Sequence, residues 1–220
     1  MSEAEWVEQM ASELKGLQWL QEDGLCVQTG VKLAYGCEIR WYAAQPEPDS
    51  ISFETDLAVI ETAEDGRWKP RVVVEAKLKS ITTHDAITYS QKAASHKAVH
   101  PYLRYGIMLG DRKHYPLPGR LFRHGAHFDF MISFRATEPT ESENTMFVEL
   151  LRTEVSASRT LERILLPRHG SFSPKQVTTA GKAGPVSREC VRIMPAGVIY
   201  ESRRKNRDYY TLLHRKLTVR

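Results

Sequence analysis

The chain has 220 residues, 41% of them hydrophobic, and a formal net charge of +4, which suits one substantial core with a modest appendage and contains no run near the roughly 18 to 20 apolar residues of a membrane helix. The Glu-rich N-terminus lacks the basic-then-apolar order of a signal peptide, and Cys26, Cys37 and Cys190 form no CxxC pair, which excludes a disulfide framework and leaves a reducing cytoplasm as the expected compartment. The charge is uneven: residues 1–66 carry 14 acidic and 3 basic side chains, the remainder 13 and 28, so the C-terminal part either faces a polyanion or neutralises the acidic part beside it.

Ser2 and Glu5 form a capping box that opens a helix over about 3–20, with Trp6, Met10, Leu14 and Leu17 on one stripe and Glu13 carried onto it. Strands follow near 25–28 and 31–43, ending in the Gln45-Pro46-Glu47-Pro48-Asp49 loop. Residues 51–60 and 70–79 are β-branched and flank Glu64-Asp65-Gly66-Arg67, a hairpin signal. A helix at 84–99, strands at 102–109 and 128–134, and a helix at 146–166 ending before Pro167 come next. A Gly/Ser/Pro/Thr-rich stretch then runs to about 187, and a strand near 190–200 and a basic helix near 206–217 close the chain. The expected division is a core over 1–145 and an extension over 146–220 that packs on it.

If Asp65-Gly66 are the loop residues of a tight turn, Asp56 lies opposite Glu75 and Glu54 opposite Lys77. Glu75 and Lys77 are two apart on one strand, so both share a face with Asp56. The other face carries Phe53, Leu57, Val59, Val72, Val74 and Leu78, and Ala58 and Ile60 extend burial to both sides. Two carboxylates facing each other across a ladder repel unless something positive lies between them. A divalent cation answers that need, and Mg²⁺, with Mn²⁺ as substitute, suits Asp56, Glu75, a carbonyl, waters and a phosphate oxygen. Lys77 is then placed to orient the attacking water or to neutralise charge growing on the phosphate. The bland alternative is an exposed hairpin face with Glu54–Lys77 and Glu75–Arg71 ion pairs.

Thr55-Asp56, an 18-residue interval and Glu75-Ala76-Lys77 resemble the D…(D/E)xK signature of the PD-(D/E)XK nuclease superfamily, with Thr55 where the family has proline. The element order from residue 3 to about 110 is similar to that family's. The resemblance implies an α/β restriction-endonuclease-like αβββαβ core, a mixed sheet flanked by helices, and a Mg²⁺-dependent endodeoxyribonuclease of restriction or repair and recombination type. A catalytically silent nucleic-acid-binding or assembly subunit of the same fold is the alternative. Related nucleases use a Gln or Lys from the helix after the hairpin. With Ile87 as reference, Gln91, Ala94 and Ala98 share the inner face while Lys92 and His96 point elsewhere, so Gln91 is the expected contributor. Glu13 is the candidate for a further acid from the first helix.

DNA is the expected partner, with a homodimer or larger nuclease assembly as a further possibility and no membrane. Arg112, Lys113, Arg120 and Arg123, and Arg203, Arg204, Lys205 and Arg207 near Tyr209 and Tyr210, are the candidate DNA contacts. His124 and His127 suit no common zinc spacing.

Overall fold

The computed structural model describes residues 1–42, 44–111 and 117–166. Ten elements run in the order α1 (Glu3–Lys15), α2 (Gln18–Glu22), β1 (Leu25–Tyr42), β2 (Pro46–Thr62), β3 (Trp68–Leu78), α3 (Thr83–Val99), β4 (Arg104–Gly110), α4 (Gly119–His124), β5 (Phe130–Ser133) and α5 (Glu141–Leu165). The strands form one mixed sheet in the order β1-β2-β3-β4-β5. β1–β2 and β2–β3 are antiparallel, whereas β3–β4 and β4–β5 are parallel and joined through α3 and α4.

Alternation along the central strands puts one apolar set on each sheet face. Leu57, Val59, Val72, Val74 and Ala76 pack against α1, α2 and α5. Ala58, Ile60, Val73, Tyr105 and Ile107 pack against Ala86 and Ala93 of α3 and Leu121 of α4. Each large apolar side chain so buried contributes about 1.5–3 kcal/mol, so these two layers hold β3 in place and, with it, everything β3 displays. Gly106 marks the tightest approach: a Cβ there would lie 2.2 Å from the Phe130 ring.

Three expectations change. The first helix breaks at Gly16 into α1 and α2, because Gly16 caps α1 and Leu17 begins the next turn. The Pro46–Asp49 segment is strand, not loop, pairing Ile39 with Pro48 and Tyr42 with Pro46. Proline fits there because this half of β2 has β3 on neither side, and an edge tolerates a missing N–H. The boundary expected after residue 145 falls inside α5, whose Phe147, Leu150, Leu151 and Val155 belong to the core shared with α1. The expected strand near 190–200 and helix near 206–217 lie outside the described residues. Among the described residues no helix is long and apolar enough to cross a membrane.

The hairpin reaches the expected register by an unexpected route. Its loop is five residues long, with Thr62 paired to Trp68, Ala63 N–H donating to Arg67 O at 2.7 Å and Gly66 at φ +79°. Ile60 pairs with Pro70 but Val59 with Val72, so Arg71 is an extra residue on β3. That bulge restores the register a two-residue turn would have produced. Arg71, only 3% exposed, meets Glu61 at 2.5 Å and Glu162 at 2.7 Å, which gives the bulge its anchor.

Candidate metal centre

The β2–β3 ladder ends at Leu57 and Val74, and the same register continued one step would set Asp56 opposite Glu75. There the Asp56 side chain replaces the ladder: Ala76 N–H donates to Asp56 Oδ2 at 2.8 Å. The irregularity begins on β1. Val27 packs on the α1 face whereas Val31 and Leu33 pack on the α3 face, with Gly30 at φ +64° between them, a conformation glycine adopts without steric cost. Thr55, which stands where the resembled signature has proline, is 1% exposed and donates to Val31 O at 3.0 Å, tying the kinked segments together beside Asp56.

Glu75 is 1% exposed. Its Oε1 accepts the Tyr105 hydroxyl of β4 and lies 2.8 Å from Lys92 Nζ of α3. Burial, and then the neighbouring Asp56, push its pKa up to about 7, although Lys92 and Tyr105 pull the other way. Burial and the adjoining Glu75 carboxylate raise the Tyr105 pKa, so its hydroxyl stays a donor. Lys77 Nζ lies 3.0 Å from Glu3 Oε1 and 5.4 Å from the centre of the Tyr89 ring. Burial opposes the Lys77 charge, but Tyr89 and Glu3 outweigh it and hold the amine more firmly protonated than an ordinary lysine. Lys77 is therefore a fixed cation and not a base.

Asp56, Glu75 and Lys77 thus come together, while two other expected contributors do not. Gln91 is exposed. The helix packs through Ala86, Ser90, Ala93 and His96, and the reference residue Ile87 is 49% exposed, so the inner face is rotated and Lys92 takes the place expected of Gln91. Glu13 is also exposed, accepting from Asn144 at 3.0 Å on the far side of α1. The acid that α1 does supply is Glu3, which holds Lys77 and accepts from Leu78 N–H at 3.2 Å. Its position in the first turn reads from sequence only as dipole compensation. The small residues Ala86 and Ala93 were the signal for Lys92, since a helix lies close to a sheet where its side chains are short. Neither the Glu54–Lys77 nor the Glu75–Arg71 ion pair forms; the partners are Glu3, Lys92, Glu61 and Glu162.

Among the described residues, Asp56 Oδ1 and Glu75 Oε2 accept no hydrogen bond, whereas Oδ2 and Oε1 are fixed. No group of three or more His, Cys, Asp or Glu is placed to hold a metal among those residues. Two neighbouring carboxylates, Asp56 being close enough to raise the Glu75 pKa, suit a hard cation that keeps most of its waters, as Mg²⁺ does, and do not fit a zinc cage. Arg120 and Arg123 are exposed on α4, and Arg120 donates to Ile81 O at 2.9 Å in the connection after β3. Arg112, Lys113, Arg203, Arg204, Lys205 and Arg207 lie outside the described residues. Part of the charge asymmetry is internal, as in the Arg71–Glu61, Lys77–Glu3 and Arg159–Asp23 pairs.

The titration of Glu75 has a measurable consequence. The folded chain favours its protonated form, so its contribution to stability is full below the ordinary glutamate pKa and is lost as pH rises through about 7. His96 acts oppositely. It is 0% exposed, with Nδ1 3.1 Å from Ala34 O, and burial depresses its pKa to about 4. Its contribution is therefore present above the ordinary histidine value and lost as pH falls through about 4. Replacing Glu75 by Gln removes only the first dependence. Denaturant melts without metal at pH 4.5 and pH 8 should show Glu75→Gln gaining on the parent at the higher pH by on the order of 3 kcal/mol; parallel pH profiles would contradict the buried carboxylate.

No family model matches the chain, and no curated protein does.

Proposed function

We propose that the chain is a metal-dependent endodeoxyribonuclease with a PD-(D/E)XK active centre. The observation that carries this reading is the proximity of Asp56 and Glu75 on adjacent strands, each with one oxygen fixed and, among the described residues, one without a hydrogen bond, with the protonated Lys77 two residues on from Glu75. The order of helix, three antiparallel strands, helix and parallel strand supports a restriction-endonuclease-like core around it.

Asp56 Oδ1 and Glu75 Oε2 would hold the ion. Mg²⁺ or Mn²⁺, when bound, supplies Lewis acidity toward a phosphate oxygen and a more acidic water. The remaining work falls to the chain itself. Ala76 N–H and Tyr105 fix the two carboxylates against rotation, and a carboxylate locked in place needs no reorganisation during the reaction. Glu3 and Tyr89 aim Lys77, which as a cation orients the nucleophilic water and offsets negative charge on the phosphate. Arg120 and Arg123 offer exposed charge to the DNA backbone.

A second reading has one observation in its favour: Lys92 on Glu75 and Lys77 on Glu3 already partner the charges without metal. A silent DNA-binding or assembly subunit would look the same. Incubation with supercoiled, linear, branched and single-stranded DNA separates the two. A nuclease cleaves in Mg²⁺ or Mn²⁺, stops in EDTA, and in Ca²⁺ binds without efficient cleavage. Binding without cleavage under every condition establishes the silent subunit, and turnover undiminished by rigorous chelation rules out this centre.

A further inference from the structure

We infer that Lys92 is a displaceable counter-ion, occupying the Glu75 carboxylate until a divalent cation arrives and then facing the substrate phosphate. The inference rests on the nuclease reading. Lys92 Nζ lies 2.8 Å from Glu75 Oε1 and donates to Glu54 O at 2.6 Å, with the Phe53 ring centre 5.9 Å away. A carboxylate, a carbonyl and an aromatic ring are ligands any small cation accepts, and two of them belong to residues just before Asp56. Lys92 therefore already supplies positive charge to the Glu75 carboxylate from the α3 side.

The ammonium and a divalent ion on Asp56 and Glu75 would share one buried carboxylate, where like charges repel strongly. The lysine can yield. Its flexible four-carbon stem moves the charge without moving α3, and Phe53 beside it is 40% exposed, so the way out runs along that ring toward solvent. The carboxylate cannot follow, because the Tyr105 hydroxyl stays on Oε1 when the ammonium leaves. Departure of Lys92 thus opens the site without loosening it and delivers a positive charge to the side from which a phosphate approaches.

Metal affinity and cleavage should consequently move in opposite directions when the charge is removed. Titration calorimetry with Mn²⁺ on the full chain at pH 8.5, run in two buffers so that protons released from Glu75 on binding are subtracted, should show Lys92→Met binding about tenfold or more tightly than the parent. Single-turnover cleavage at saturating Mn²⁺ should fall at least about tenfold. DNA affinity in Ca²⁺ should lose about 0.9 from its slope against log salt, with no loss in EDTA, since the phosphate contact exists only after displacement. Lys92→Gln repeats the measurement if the methionine variant does not fold. Mn²⁺ binding unchanged or weakened in a folded neutral variant overturns the inference, and the nuclease reading survives if Asp56→Ala abolishes that binding. Absence of Mn²⁺ binding in the parent chain removes both.

Discussion

Asp56→Asn and Glu75→Gln should each lower single-turnover cleavage by at least about 10³-fold while leaving the fold intact. The amides keep the shape and the fixing contacts: an asparagine oxygen can still accept from Ala76 N–H, and a glutamine oxygen from the Tyr105 hydroxyl. On the proposed function, what disappears is the charge that would neutralise the ion. Losing an outer partner of a metal ligand typically costs 10- to 100-fold, and losing the ligand's own charge exceeds that because the ion's Lewis acidity is the main source of rate. Calorimetry should show Mn²⁺ binding abolished or severely weakened in both variants. The circular dichroism spectrum should be unchanged, and the melting temperature should fall by no more than a few degrees for Asp56→Asn. A folded Asp56→Asn protein that cleaves at the parental rate would exclude this carboxylate from the chemistry.

The strands that carry Asp56 and Glu75 are readable because three independent signals agree over residues 51–79: β-branched runs, a turn signal between them, and acids placed where apolar alternation demands burial. The register was right for a compensated reason. Sequence offers no way to see that a five-residue loop and a bulge at Arg71 cancel, because the bulge is held by Glu61 and Glu162, the latter from a helix more than eighty residues away. The inner face of α3 is not the one its most apolar residue marks, since Ile87 is left outside while Ala86 and Ala93 let the helix lie close enough for Lys92 to reach Glu75. Nor does periodicity single out the acid that α1 contributes. Glu13 sits near the buried stripe but faces Asn144, whereas Glu3 works from the helix's first turn, the end that meets β3 where Lys77 emerges. Both differences have one origin: periodicity reports which side of a helix is buried, and packing decides which of its residues is near anything.

Lys77→Met should lower cleavage about 10²- to 10⁴-fold at saturating Mn²⁺ with Mn²⁺ affinity unchanged or slightly raised, because Lys77 contributes charge and direction and no ligand. Glu3→Gln isolates the direction. It leaves the ammonium in place beside Tyr89 but replaces a charged partner 3.0 Å away with a neutral one, so the cation is less firmly aimed without being removed. Its cleavage rate should fall by roughly 10-fold, a loss of the size expected when a supporting contact to a catalytic group goes. Combining the two changes should cost no more than Lys77→Met alone, since Glu3 acts through Lys77 and has nothing left to aim. Additive losses in the double variant would instead give Glu3 a role of its own, through the Leu78 amide it also accepts from at the end of β3.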